Sequence, residues 1–465
     1  MQKLFTRLVQ FGLLLLLAGA LATPAIAAGS HKNRIKGPIN EPQDVTRQCL
    51  KCHKGAAKDF MKTVHWQWAQ EQEIDGKKVF IGKKNLINNY CTAVNGGNEQ
   101  FCAKCHAGYG MTDVDTFDFD NPENIDCLVC HDTTGRYGKM GNGAGMPSKV
   151  VPLLDVAQNV GKPGRDQCGS CHFFGGGGDA VKHGDLDSSM SYPTKEIDVH
   201  MDADGNDFAC IECHTTEDHQ MAGHSLYVGP SGKNHATCTQ CHEGEVHSES
   251  LLNAHTDTVA CQTCHIPVVA KEIATKVSWD WSQAGDPNRG PEEEHGHATY
   301  VKKKGKMKYV EKLVPEYFWS NGQGGVYLPG QKIDPKKVVK IAYPLGDRDD
   351  MTAKIAPFKI MHGKQIYDAE YNYLLTAKVA NEGGYWNDFD WDKAARLGSE
   401  ASGLKYSGKY GFVATEMYWR QNHMVSPKEE ALSCLDCHGD SGRLDWAALG
   451  YKADPMKDQS AARTK

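Results

Sequence analysis

The sequence predicts a mainly α chain with extensive irregular structure and one small β-containing excursion, organised around eight copies of a short cysteine and histidine motif. Three observations predict it. The pattern Cys-x-x-Cys-His occurs eight times and uses sixteen of the 17 cysteines, glycine supplies 48 of 465 residues, and hydrophobic residues make up only 40%. The glycine share exceeds the usual value of about 7%, and so modest an apolar content needs another source of buried surface to hold the chain together.

The motif cysteines are Cys49 and Cys52, Cys102 and Cys105, Cys127 and Cys130, Cys168 and Cys171, Cys210 and Cys213, Cys238 and Cys241, Cys261 and Cys264, and Cys434 and Cys437. The histidines that follow are His53, His106, His131, His172, His214, His242, His265 and His438. Two thiols three residues apart can form thioethers to both vinyl groups of a porphyrin while the adjacent histidine reaches the iron. Zinc and disulfide chemistry require no histidine after every second cysteine. Each copy therefore reads as an attachment site for covalent haem c, eight in all, and the expected fold is a multihaem cytochrome c packed around eight haems. Porphyrins supply the missing apolar surface, and glycine lets backbone approach their faces.

Residues 1–27 read as an export signal, because Lys3 and Arg7 precede an apolar stretch from Leu8 to Leu21 and Ala25-Ile26-Ala27 has the small residues of a cleavage site. No other segment approaches roughly 18 consecutive apolar residues. The mature chain, from near Ala28, is thus expected to carry no membrane anchor and to work in the periplasm. The formal net charge of -6 gives no suggestion of nucleic-acid binding. Residues 28–265 form a haem-rich region with seven motifs joined by short, polar connections. Residues 266–347 carry no motif, and the runs Tyr309-Val310 and Val338 to Ile341 point to strands, which makes this the β-containing excursion. Residues 348–465 read as mainly helical and hold the eighth motif. Asp392 to Leu397 and Val413 to Asn422 are candidate helices, and Ser426-Pro427-Lys428-Glu429 looks like a capping box leading a helix through Ala431 into Cys434.

Low-spin haem iron takes a second axial ligand, so histidines outside the motifs matter next. The candidates are His65, His183, His200, His219, His224, His235, His247, His255, His295, His297, His362 and His423, with His31 set aside as too close to the mature N-terminus. Of these, His65, His183, His200, His224, His235, His255 and His423 are taken as iron ligands. Spacing alone does not pair any of them with a haem.

After the fourth motif the chain reads Phe173-Phe174-Gly175-Gly176-Gly177-Gly178-Asp179-Ala180-Val181-Lys182-His183-Gly184-Asp185. This glycine run with Val-Lys-His-Gly-Asp, together with the eight-motif layout and the His423 to His438 segment, resembles the octahaem tetrathionate reductases of respiratory bacteria. More distantly the layout is similar to hydroxylamine oxidoreductases. The resemblance implies a lysine amine as distal ligand of a catalytic haem, with Lys182 at the matching position, and assigns it to the haem of Cys102, Cys105 and His106. A neutral amine is required, and deprotonating an ordinary lysine at pH 7 costs about 4.6 kcal/mol. Burial and the iron bond can offset that. Asp179 would accept a hydrogen bond from the amine if the intervening turn is helical.

Cys91, the cysteine outside the motifs, precedes the second motif by a few residues. A thiol near an iron that handles sulfur compounds can exchange with a substrate S–S bond, whereas its plainer role is that of a small buried hydrophobe. Lys302-Lys303-Lys304-Gly305-Lys306 reads as a solvated edge, and Glu292-Glu293-Glu294-His295-Gly296-His297 as a solvated loop or a further haem ligand.

The resemblance implies a periplasmic enzyme that cleaves tetrathionate to two thiosulfates with two electrons, with nitrite and hydroxylamine as further substrates. Its electrons would come from a periplasmic or membrane-bound donor. Rival readings are a nitrite reductase, a hydroxylamine oxidoreductase with Tyr371, Tyr373 or Tyr418 cross-linked to its haem, and a non-catalytic electron-transfer protein with eight bis-histidine haems.

Overall fold

The computed structural model describes residues 31–74, 76–226, 236–458 and 463. The export signal and His235 lie outside the described residues. Short helices and turns fill the first half, including α1 (Gln43–Cys52) and α2 (Arg165–His172). Several motifs are single helical turns, as at Cys210–Cys213, Cys261–His265 and Cys434–Cys437. In such a turn residues i and i+3 share a face, so both thiols of a motif point the same way. Among the described residues no helix is long and apolar enough to cross a membrane.

Two small hairpins, β1 (Gln70–Ile74) with β2 (Lys77–Ile81) and β3 (Thr216–Glu217) with β4 (Gln220–Met221), accompany these helices. The remaining strands form one mixed sheet. They are β5 (Thr275–Asp280), β6 (Glu292–Glu294), β7 (His297–Val301), β8 (Gly305–Val310), β9 (Glu316–Ser320), β10 (Gly324–Val326), β11 (Val339–Pro344), β12 (Lys354–Asp368), β13 (Tyr373–Leu374) and β14 (Tyr410–Arg420). The sheet order is β10-β11-β14-β12-β5-β8-β7-β6, with β9 and β13 pairing opposite ends of β12. Strand β12 runs antiparallel to β14 from Phe358 opposite Arg420 to Asp368 opposite Tyr410, and parallel to β5 at His362 opposite Ser278.

This sheet corrects the expectation of a mainly α chain. Helix and strand occupy about 23% and 20% of the protein, so a multihaem-cytochrome fold here combines helices with a mixed sheet. The strands at Tyr309-Val310 and Val339 to Ile341 fall where they were expected, but the sheet runs on past residue 347. Val413 to Asn422, expected as a helix, lies almost wholly in β14. Val413, Thr415, Met417 and Trp419 are buried at alternate positions there, and the β-branched and aromatic content suits a pleated surface. The capping box at Ser426 also fails to start a helix. Pro427 precedes one 3₁₀ turn, Lys428–Glu430, while Ser426 N donates to His265 O at 2.9 Å and the Ser426 hydroxyl accepts from Lys271 Nζ at 2.9 Å. The motif turn that follows has its own cap, Ser433 Oγ donating to Asp436 at 2.7 Å. The helix expected at Asp392 to Leu397 is present as α3 (Trp391–Ser402), capped by Asp390, which accepts from Lys393 N at 3.0 Å, and closed by Gly403 at φ 70°.

Strand β12 fixes the two loops that carry the unusual side chains. Asn89 Nδ2 donates to Met361 O at 2.6 Å and Gln365 Nε2 to Asn88 O at 2.7 Å, which ties down the segment leading to Cys91. Lys359 Nζ donates to Val181 O at 2.9 Å and to Thr275 Oγ1 at 2.5 Å, which ties down the segment carrying Lys182. Gly363 lies between these anchors. A Cβ there would press on the Thr415 hydroxyl and sit 2.9 Å from Asn89 Cβ, both in buried side chains. Gly363→Ala is expected to cost about 1–3 kcal/mol by overpacking. The check is a lower midpoint for thermal unfolding of the haem-loaded protein, and an unchanged midpoint would show that the loop yields freely.

Candidate functional site: seven histidine pairs and one lysine

Seven of the eight motif histidines face a histidine from elsewhere in the chain. Ring centres are 6.3 Å apart for His53 with His31, 6.4 Å for His131 with His219, and 6.2 Å for His172 with His65. They are 6.2 Å apart for His214 with His423, 6.1 Å for His242 with His200, 6.1 Å for His265 with His247, and 6.4 Å for His438 with His255. Two imidazoles on opposite sides of one metal, each about 2 Å from it, have ring centres roughly 6 Å apart once half a ring is added on each side. The pairs therefore fit a haem iron between them.

The orientation of the rings fits as well. His131 Nδ1 bonds Gly161 O at 2.8 Å, His214 Nδ1 bonds Ala222 O at 2.8 Å, and His255 Nδ1 bonds Leu251 O at 2.8 Å. His423 Nδ1 faces Asp185 at 3.0 Å and His438 Nδ1 faces Asp454 at 2.5 Å. An imidazole held through Nδ1 presents Nε2 to a metal, with the partner fixing both tautomer and ring angle. Asp185 also accepts from the Asn422 and His423 backbone N–H groups; these bonds and His423 hold its pKa down at about 2 against burial.

His106 breaks this pattern. Its Nε2 lies 2.6 Å from Trp66 O, and its buried Nδ1 has no hydrogen-bond partner. Trp66 and Trp68 pack against the ring at 5.3 and 4.8 Å between centres, with Phe117 at 5.5 Å. Burial pushes its pKa down to about 3, so the ring is neutral. A carbonyl oxygen only accepts, so the proton sits on Nε2, the nitrogen that faces outward in the other motifs.

Lys182 takes up a place beside this motif. It is half-buried, its Nζ lies 4.7 Å from the Trp419 ring centre, and its carbonyl accepts from Tyr90 OH at 2.6 Å. Burial holds its pKa down at about 7, with Lys83 adding repulsion and the Cys105 thiol opposing it. The cost of a neutral amine at neutral pH thus almost disappears. The glycine run is required locally, since Gly176 has φ 80° and a Cβ there would lie 2.9 Å from Val181 Cγ1.

Other expected residues are placed differently. Asp179 accepts from Ser188 N at 3.0 Å and from the Ser188 hydroxyl, and Ala180 at φ 55° prevents the helical turn that would have aimed it at the Lys182 amine. His183 packs edge-on against Trp419 at 4.9 Å and faces no motif histidine, while His224 has its Nε2 toward Gly322. His31, set aside in the sequence, stacks with His53. His295 faces Glu311 at 3.0 Å, His362 faces Glu416 at 3.5 Å and His297 stacks on Tyr309 at 4.3 Å. Cys91 is half-buried near Cys102; burial raises its pKa, with Lys304 and Lys276 pulling the other way.

The motif thiols form a connected series. Cys49 adjoins Cys127, Cys130 acts on Cys168, and Cys168 adjoins Cys210. Cys213 acts on Cys241, Cys238 adjoins Cys261, and Cys264 acts on Cys437. The second motif joins from the side, through Cys105 beside Cys171.

Paired thiols and opposed imidazoles define a multihaem c-type cytochrome. Residues 48–132 match the family model of cytochrome c554 and c-prime, and residues 276–441 that of bacterial cytochrome c. An uncharacterised protein of Archaeoglobus fulgidus is 26% identical over 229 residues, 39% of this chain and 76% of that protein. The crystal structure of octahaem cytochrome c from Shewanella oneidensis is 52% identical, covers 94% of this chain and 100% of its own, and superposes with a TM-score of 0.89. The chain belongs to the octahaem cytochromes c. Intact mass under denaturing conditions should show eight covalently retained haems, and a smaller number would mean that a motif is unused.

Proposed function

We propose that the protein is a periplasmic reductase whose second motif would carry the reactive haem, with His106 and Lys182 as the residues that would hold its iron. The observation that carries this reading is that, among the described residues, His106 faces no second histidine, whereas Lys182, an amine of lowered basicity, lies beside its motif cysteine Cys105. Both residues stay with the haem of Cys102 and Cys105, to which the family resemblance assigned Lys182. The other seven motifs pass electrons, each with the histidine pair described above. Haem c supplies one-electron chemistry and, where one axial position lacks a histidine, an iron that a small substrate can reach.

The chain's own residues supply the rest. Trp66 O accepts the proton on His106 Nε2, and burial keeps that ring neutral. Lys359 and Tyr90 both donate to the Lys182 carbonyl, which fixes the backbone from which the amine extends. The indole of Trp419 and the surrounding apolar side chains exclude water from it.

The substrate supported best is tetrathionate, a dianion whose central S–S bond takes two electrons and no net proton to give two thiosulfates. A periplasmic or membrane-bound donor supplies the electrons, and nitrite and hydroxylamine are secondary substrates. The family resemblance supports tetrathionate, and Cys91 close to the second motif adds a sulfur-reactive group. The hydroxylamine oxidoreductase alternative is disfavoured by its tyrosines. Tyr373 OH is engaged by Lys405 O, and Tyr418 OH donates to Glu416 at 3.1 Å.

Reductant-driven turnover measured in parallel with tetrathionate, nitrite and hydroxylamine tests this function. Tetrathionate should saturate, nitrite should inhibit it competitively, and Lys182→Ala should change all three rates together by at least about tenfold, or 1.4 kcal/mol. Efficient hydroxylamine oxidation without tetrathionate turnover would favour a nitrogen-cycle enzyme; no turnover at all would leave an electron carrier.

A further inference from the structure

Lys276 on β5 is 2% exposed, yet none of the charged groups acting on it is a carboxylate. Its Nζ lies 3.2 Å from the Met307 sulfur, 3.8 Å from the Trp279 ring centre and 5.3 Å from that of Tyr309. The groups that do act on it are Lys304, Lys359 and the Cys91 thiol. A thioether is a weak acceptor, so most of the donor capacity of this ammonium is unused by the protein. Burying a cation among apolar side chains and other cations is costly unless an anion offsets it.

Lys304 approaches the same place from the turn between β7 and β8. Within the lysine run the side chains divide. Lys302 and Lys303 are exposed and lie over Phe389 and Trp386, at 4.4 and 5.9 Å from the ring centres. Lys304 is half-buried, its carbonyl accepts from Trp279 Nε1 at 2.6 Å, and its Nζ lies 6.0 Å from the Trp279 ring centre. The reading of the whole run as a solvated edge therefore holds for Lys302 and Lys303 but not for Lys304. Lys304 and Lys276 both act on the Cys91 thiol, which packs against the cluster containing Trp279, Met307 and Tyr309, so the thiol and the two amines belong to one site.

We propose that Lys276 and Lys304, beside Cys91, bind the oxygens of a sulfur oxodianion, which would place its sulfur chain toward the Cys91 thiol and the second haem motif. Burial, Lys304 and Lys359 hold the Lys276 amine well below its ordinary basicity, so an anion bound between Lys276 and Lys304 would restore its charge, and a dianion would do so more than a monoanion or a neutral molecule. The choice of a sulfur species rests on the reductase reading above. Anion capture itself does not.

The test is calorimetric titration of thiosulfate into the fully oxidised holoprotein, which reads binding without turnover. Wild type should bind saturably, and Lys276→Met and Lys304→Met should each weaken binding at least tenfold. Lys303→Met, on the same turn but over Trp386, should leave it unchanged. Unaltered haem absorption and thermal midpoint in Lys304→Met would separate lost binding from lost folding. Absence of binding to wild type, or equal binding by wild type and both the Lys276 and Lys304 variants, would overturn the proposal. If binding depends on these lysines while tetrathionate is not reduced, the anion site stands and the reductase reading falls. If tetrathionate is reduced while both variants bind and turn over as wild type, the reverse holds.

Discussion

An imidazole can serve a metal only through a nitrogen that carries no proton and faces it, and much of this structure follows from how that nitrogen is kept free. In five of the histidines that make up the facing pairs, a backbone carbonyl or a carboxylate holds Nδ1, which fixes the tautomer before any iron is present. His106 has the same motif and the same chain chemistry, but the Trp66 carbonyl holds the opposite nitrogen. One hydrogen bond of 2.6 Å thus sets His106 apart from His131, His214 and His438. Because Trp66 follows His65, which faces His172 of the fourth motif, the residue that sets the second site is directly bonded to a residue of the fourth.

The sheet explains why the exceptional site stays exceptional. Strand β12 holds the Asn88 to Cys91 segment through Met361 and Gln365, and the Lys182 segment through Lys359. Its neighbours β5 and β14 contribute Lys276 and Trp419 to the same region. A lysine whose amine is neutral at little cost needs a rigid, dry setting, and a loop of glycines alone would not provide one. Meanwhile the thiol series from the first motif to the eighth is continuous, and the second motif branches from it beside the fourth.

Attachment chemistry was legible because it is local: Cys-x-x-Cys-His is five residues long and needs no tertiary information. Lys182 was singled out through a resemblance, and α3 was legible through its caps. The histidine pairs were not legible, since facing partners such as His65 and His172 or His255 and His438 are joined only by the tertiary fold. Position near a terminus was a poor reason to set aside His31, which a short 3₁₀ turn carries onto His53. Strand β14 was missed because its apolar positions are dense enough to satisfy a helical period as well as a period of two. Lys304 could not be separated from its lysine neighbours by sequence, because only the geometry of the β7 to β8 turn directs it inward.

The central claim is that seven motifs would hold their haems between two histidines and that the second motif would hold its haem with Lys182. Near-infrared magnetic circular dichroism of the oxidised protein tests it most directly, because its charge-transfer bands report the axial ligand class of each low-spin haem. The account predicts a bis-histidine signal of seven-haem intensity, one distinct component lost in Lys182→Ala, and no change in His106→Ala that moves the other seven. A spectrum of eight bis-histidine haems, or a component lost in His106→Ala and retained in Lys182→Ala, would contradict it.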